Sequence, residues 1–205
     1  MPVKRLYICF LSLVTLLAGY PLHAQYNEHA VADYYLQYVP LAAGIGLGWT
    51  GVKAQDPGWD RLMVAGMGFV TEAALVNAIK YTVREERPDG SARNSFPSGH
   101  SATAFLGAEI VRREYGWGWG AGAYAVAGGV AALRVYHHRH YWWDTVAGAG
   151  CGILSASVGY WLLEPAHNVL GRISGQRRNA RAELSLAPMY DPLSGAAGPA
   201  FALRF

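Results

Sequence analysis

Five apolar segments separated by charged turns constrain this chain more than any other feature. They run roughly from Ala30 to Val52, Leu62 to Tyr81, Ser101 to Val111, Trp117 to Val135 and Thr145 to Leu163. A hydrocarbon layer about 30 Å thick needs about 20 helical residues, with a range of about 17–25. Four of the five segments approach that length. The third spans only if it continues through Arg112, Arg113 and Glu114. Glu72 interrupts the second, so its carboxylate is expected to face protein and not lipid. The sequence therefore predicts an all-α, membrane-embedded bundle of five core helices; a soluble, buried bundle is the competing reading.

Composition agrees with tight helix packing. The chain of 205 residues is 52% hydrophobic and 15% charged, against about a quarter charged in soluble domains. Most of its 25 glycines lie inside apolar stretches, where small residues let helices approach closely. Mean hydropathy is only +0.11, low for a protein made of membrane helices alone. A net charge of +3, with no basic stripe carrying interleaved aromatics, gives no reason to expect a nucleic-acid partner. Cys9 and Cys151 stand in separate apolar segments without zinc-type spacing, so neither a structural metal nor a disulfide framework is expected.

Organisation is read from the ends inward. Lys4 and Arg5 precede an apolar run from Leu6 to Leu17, and small or polar residues lead to Leu22-His23-Ala24. Residues 1–24 read as a signal peptide or an uncleaved first membrane helix, and either delivers Gln25 and the chain beyond it to the non-cytoplasmic side. Residues 25–165 form the helical bundle, and 166–205 a basic segment and tail. Threading from an external Gln25 puts Lys53 and Arg61, then Arg112 and Arg113, then Arg172, Arg177, Arg178 and Arg181 on the inner side. Those inner cations agree with the positive-inside rule, but the outer turns also hold Lys80, Arg84, Arg87, Arg93, Arg134 and Arg139, which need a separate reason. In the tail, Leu184, Leu186 and Pro188, and later the run Ala200 to Phe205, alternate around Asp191-Pro192-Leu193-Ser194-Gly195, predicting a β-hairpin-like or loosely ordered end.

Chemistry gathers in three clusters at the outer ends of the segments. Lys80 is followed after six residues by Arg87-Pro88; then comes Pro97-Ser98-Gly99-His100; then Arg134, five residues, His140, three residues and Asp144. Three cations at one end of a bundle repel unless an anion sits between them. Phosphate suits them, because guanidinium forks match its oxygens and an ammonium adds a point charge. Ser98 and Gly99 open a helix whose first N–H groups also attract anions. His140 and Asp144, four apart, share a helical face, so the carboxylate can hold one ring nitrogen while the other attacks. His100 can protonate a leaving oxygen. Each residue alone has an ordinary explanation as a solvated face, a cap or a satisfied side chain. The combination, in this order and spacing, is what points to phosphoryl transfer.

The three clusters resemble the motifs of the type 2 phosphatidic acid phosphatase and vanadium haloperoxidase superfamily, and the membrane lipid phosphate phosphatase branch in particular. The resemblance covers Lys80 to Asp144 and extends in helix pattern to about Leu163. It implies Lys80, Arg87, Ser98, Gly99 and Arg134 as phosphate ligands. It also implies His140 as the residue phosphorylated, Asp144 as its orienting partner, and His100 as general acid and later base. It implies no metal, no cofactor and no obligatory protein partner. The activity implied is hydrolysis of lipid phosphate monoesters or pyrophosphates at the periplasmic face of an inner membrane. Phosphatidic acid, phosphatidylglycerol phosphate, undecaprenyl pyrophosphate and lipid A phosphates are all candidate substrates.

Two departures stand out. Leu133 occupies a position where the family commonly has Ser, and only about nine residues, Pro88 to Phe96, link the first two motifs. So short a link predicts an open, shallow site. His137 and His138 fall outside the family spacing and read as rim residues; Trp142 and Trp143 suit a membrane boundary, core packing or substrate contact. A soluble periplasmic acid phosphatase, a vanadium-dependent haloperoxidase and a non-catalytic lipid-binding protein are the alternatives.

Overall fold

The computed structural model describes residues 34–179, 183–190 and 197–204. Among them five α-helices carry the fold: α1 Val39–Gly46, α2 Gly58–Val83, α3 Gly99–Tyr115, α4 Trp117–Tyr136 and α5 Trp142–Asn179. A 3₁₀ turn, Leu47–Thr50, comes directly after α1. The expected all-α bundle of five helices is what forms. The expected signal segment, residues 1–24, lies outside the described residues.

Helix α3 is the centre. It packs against α1, α2 and α4, and buried residues occupy its whole circumference, from Ser101 and Ala102 to Ile110 and Val111. One apolar cluster joins Val64, Ala65 and Phe69 of α2 to Leu106 and Ile110 of α3 and Ala156 of α5. Another joins Ala104 and Ala108 of α3 to Ala127 and Val130 of α4. Many of these side chains are small, so the helix axes approach closely and packing contacts accumulate along their length.

Two expectations require correction. The first segment does not form one long helix: from residue 34 onward it is broken, and α1 has only eight residues. Pro40, near the start of α1, has no N–H to continue a helix from the preceding turn, and Gly51 ends the segment at φ +95°. Arg61, placed by charge among the inner turn cations, is 4% exposed; its Nη1 donates to the Asp56 carbonyl at 2.7 Å.

The third segment does extend through Arg112, Arg113 and Glu114. Pairing makes that possible. Glu109 accepts from Arg112 Nε at 2.7 Å, from Arg113 Nε at 2.7 Å and from the Tyr124 hydroxyl at 2.7 Å. Glu114 accepts from the Tyr160 hydroxyl at 2.7 Å and from the Asp56 N–H at 3.1 Å. Glu72, as its place in an apolar run demanded, is buried against protein, with Thr103 hydrogen-bonded to it. Two stretches, Gly58–Val83 and Trp142–Gly171, are long and apolar enough to cross a membrane.

By contact pattern the chain divides after Leu163. The second unit holds the end of α5 and two antiparallel strands, β1 Glu183–Tyr190 and β2 Ala197–Arg204, in the register Leu186 opposite Phe201 and Ala187 opposite Ala200. The hairpin-like tail forms as the alternation predicted; the expected turn at 191–195 lies outside the described residues.

Candidate active site

Helix direction brings the three motifs together. The C-terminal ends of α2 and α4 and the N-terminal ends of α3 and α5 lie at one end of an up-and-down bundle. Lys80 occupies the last turn of α2, Ser98 caps α3, Gly99 and His100 open it, Arg134 lies in the last turn of α4, and Asp144 lies in the first turn of α5. Arg87 and His140 sit on the connecting loops.

Local chemistry fixes each position. Arg84 adopts a left-handed conformation, φ 50°, and its N–H returns to the Lys80 carbonyl at 3.2 Å, ending α2. The Lys80 ammonium then donates to the Asn94 carbonyl at 2.5 Å, tying the helix end to the loop before the second motif. After α4 the Arg134 carbonyl accepts from the N–H groups of Arg139 at 3.0 Å and His140 at 3.3 Å. A closed turn, with His138 at φ 54°, thereby holds His140 beside Arg134. Between α3 and α5, the Ser98 N–H donates to the Asp144 carbonyl at 2.9 Å. Gly148 permits that approach: a Cβ there would stand 2.3 Å from the Ser98 carbonyl oxygen.

The Ser98 hydroxyl accepts from the Ser101 N–H at 3.4 Å and from the Ser101 hydroxyl at 3.2 Å, so it serves as the helix cap. The N–H groups of Gly99 and His100, in the first turn, have no acceptor within the helix and suit an anion.

His140 is 3% exposed and Asp144 0%. Nδ1 of His140 stands 3.5 Å from Asp144 Oδ2, which leaves Nε2 as the nitrogen available for chemistry. The same oxygen accepts from the Tyr141 N–H at 2.9 Å. Burial, then the nearby charges of Lys80, Arg134, Arg87 and His100, hold the His140 imidazole at about 3, well below the ordinary histidine range. Both causes disfavour a proton on this imidazole. Burial disfavours the Arg87 charge while Asp89 supports it, and Arg87 Nε is buried with no hydrogen-bond partner among the described residues. Among the described residues, no three His, Cys, Asp or Glu side chains converge to hold a metal.

All eight residues singled out in the sequence thus fall at this end of the bundle. Further contacts were not anticipated. The buried Ser95 hydroxyl donates to Asp144 Oδ2 through a short hydrogen bond and lies 3.5 Å from His140 Nδ1. The Trp143 indole N–H donates to Glu85 at 3.1 Å, and Arg139 pairs with Asp89 at 3.2 Å, so two ties join the loop after α2 to the segment around the start of α5. The ring of Tyr34 meets His100 edge-on at 6.4 Å. His138, read as a rim residue, is exposed.

Residues 61–167, more than half of the chain, match the PAP2 superfamily. The chain belongs to that superfamily. A curated relative, the lipid A 1-phosphatase of Porphyromonas gingivalis, is 37% identical over 139 residues, covering 65% of this chain and 31% of the relative. The chain thus spans about a third of that relative's length. The crystal structure of Aquifex aeolicus LpxE superposes with a TM-score of 0.50 at 20% identity, over 73% of this chain and 93% of that one, a likeness of fold. The matched stretch contains Lys80, Arg87, Ser98, Gly99, His100, Arg134, His140 and Asp144, with Leu133 as the departure before Arg134.

Proposed function

We propose that this chain is a metal-independent lipid phosphate phosphatase acting through a phosphohistidine at His140, with lipid A carrying a 1-phosphate as its foremost substrate. The observation that carries the reading is the buried imidazole of His140, with Asp144 Oδ2 3.5 Å from one nitrogen and Lys80, Arg87, Arg134 and His100 as its charged neighbours. The substrate is inferred from the 37% identity to a lipid A 1-phosphatase.

In this reading Lys80, Arg87, Arg134 and the first N–H groups of α3 hold the three non-bridging oxygens. Phosphoryl transfer asks chiefly for positioning and charge stabilisation, which these groups supply. The lone pair of His140 Nε2 forms a bond to phosphorus as the bond to the lipid oxygen breaks, and His100, protonated once the phosphate dianion offsets the surrounding cations, gives that oxygen a proton. Water then attacks phosphorus, His100 takes the water's proton, the phosphorus–nitrogen bond breaks and inorganic phosphate leaves.

Membrane placement is supported by the aromatic side chains, and the periplasmic side of the site by the cations Lys53, Arg112 and Arg113 at the turns away from it. Trp117 and Trp119 at the start of α4, and Tyr136 and Trp142 at and beyond its end, are all exposed. The 20 residues of α4 separate the two groups by about 30 Å, the thickness of a hydrocarbon core.

The test is a panel of phosphatidic acid, phosphatidylglycerol phosphate, undecaprenyl pyrophosphate and lipid A 1-phosphate, assayed in detergent with EDTA. Release of phosphate by the wild type and none by His140→Ala is expected, with lipid A turned over fastest. Full activity in His140→Ala, or release of the protein from membranes without detergent, would overturn the mechanism or the placement respectively.

A further inference from the structure

Ser95 lies outside the three motifs, yet its side chain is 0% exposed and touches both members of the histidine–aspartate pair. We infer that Ser95 is a positioning residue that fixes which nitrogen of His140 carries the proton, an inference that rests on the phosphohistidine reading.

Proton counting supports it. A serine hydroxyl has one proton and two lone pairs, and an ionised carboxylate only accepts. The short hydrogen bond to Asp144 Oδ2 uses the Ser95 proton. The side of Ser95 Oγ that faces His140 Nδ1, at 3.5 Å, is therefore a lone pair. Nδ1 stands the same 3.5 Å from Asp144 Oδ2. Both neighbours of Nδ1 are acceptors, so Nδ1 bears the hydrogen and Nε2 presents its lone pair. Asp144 Oδ2 also accepts from the Tyr141 N–H, while Oδ1 has no hydrogen-bond partner among the described residues. The carboxylate is thus held through the oxygen that faces the imidazole, and Ser95 holds it from the opposite loop.

The backbone explains why Ser95 stays in place. Its N–H donates to the Glu85 carbonyl at 2.9 Å, and the carbonyl of its neighbour Asn94 accepts from Lys80. The loop that carries Arg87 is consequently anchored at the same point that orients the nucleophile.

The experiment compares wild type, Ser95→Ala, Asp144→Asn, the double variant and His140→Ala on phosphatidic acid and lipid A 1-phosphate in detergent with EDTA. Loss of a hydrogen bond to a charged group predicts a kcat for Ser95→Ala lower by roughly 10- to 100-fold. KM and inhibition by vanadate should stay within about twofold, because Ser95 does not touch the phosphate cradle. In the Asp144→Asn background the Ser95 change should cost less than about threefold, since both act on one imidazole. If Ser95→Ala does not fold, Ser95→Cys keeps a similar volume with a weaker donor and should show the same lowered kcat at unchanged KM. A kcat within about twofold of wild type, a rise in KM and vanadate inhibition constant in place of a fall in kcat, or losses that multiply in the double variant would each overturn the role of Ser95. An inactive His140→Ala beside a fully active Ser95→Ala removes only this inference; an active His140→Ala removes the phosphohistidine reading itself.

Discussion

Gly148 is where packing and chemistry meet, and Gly148→Ala is the sharpest structural perturbation available. A Cβ there would stand 2.3 Å from the Ser98 carbonyl oxygen and 3.2 Å from Ser101 Cβ. An ordinary carbon–oxygen contact is about 3.3–3.6 Å, so the two backbones must part by roughly 1 Å. Neither partner is a flexible side-chain end, and the 2.9 Å bond from the Ser98 N–H to the Asp144 carbonyl lies in the same interface. Overpacking of this kind costs about 1–3 kcal/mol of stability. Under the proposed mechanism, moving the Asp144 carboxylate about 1 Å from the helix that bears His100 costs about 10²-fold in rate. Gly150→Ala is the internal control, because nothing lies within 4 Å of its Cβ; it should leave kcat unchanged. The assay is kcat on lipid A 1-phosphate in detergent, with thermal unfolding followed by far-ultraviolet dichroism. A Gly148→Ala protein with kcat within about twofold of wild type would refute the claim that the α3–α5 approach sets the site.

Other outcomes rest on the same geometry. Asp144→Asn should lower kcat by about 10³–10⁴-fold, with helix content unchanged in dichroism, because an amide can stabilise the wrong imidazole tautomer. For pH, the folded His140 sits at about 3 against an ordinary 6.5, so the unfolded chain takes up its proton first. Stability from this group is therefore complete above about pH 6.5 and declines as pH falls toward 3. Urea midpoints at about pH 7, 5 and 4 should fall in that order, and a His140→Gln protein should lose part of that slope. Glu109→Ala should lower the unfolding temperature, at a cost of about 1–3 kcal/mol, because it strips partners from Arg112, Arg113 and Tyr124. Its kcat should be unaffected, nine residues along α3 from His100. Activity should persist in EDTA, and vanadate should inhibit competitively.

Much of this was legible in the sequence because the spacing of charged residues obeys helix geometry. Lys80, Arg134 and Asp144 fall at helix ends, His100 opens a helix, and an up-and-down bundle sends those ends to one side. Apolar runs located four of the five helices, and Glu72 marked itself as buried by its setting. Local breaks were harder to read. Pro40 splits the first segment, yet an apolar run conceals it; Arg61 looks like a turn cation until the Asp56 carbonyl is found beside it. Ser95 was illegible for a different reason. A serine in a loop carries no signal of its own, and its role arises from His140 and Asp144, 45 and 49 positions downstream, which only the fold brings near.

The decisive measurement is a rapid-mixing trap of the protein with labelled lipid A 1-phosphate, quenched in alkaline detergent and analysed by peptide mapping. Phosphate attached to the imidazole of His140, stable in alkali and lost in acid, is the predicted result. Turnover without any phosphorylated peptide containing His140, or with the label on another side chain, would contradict it.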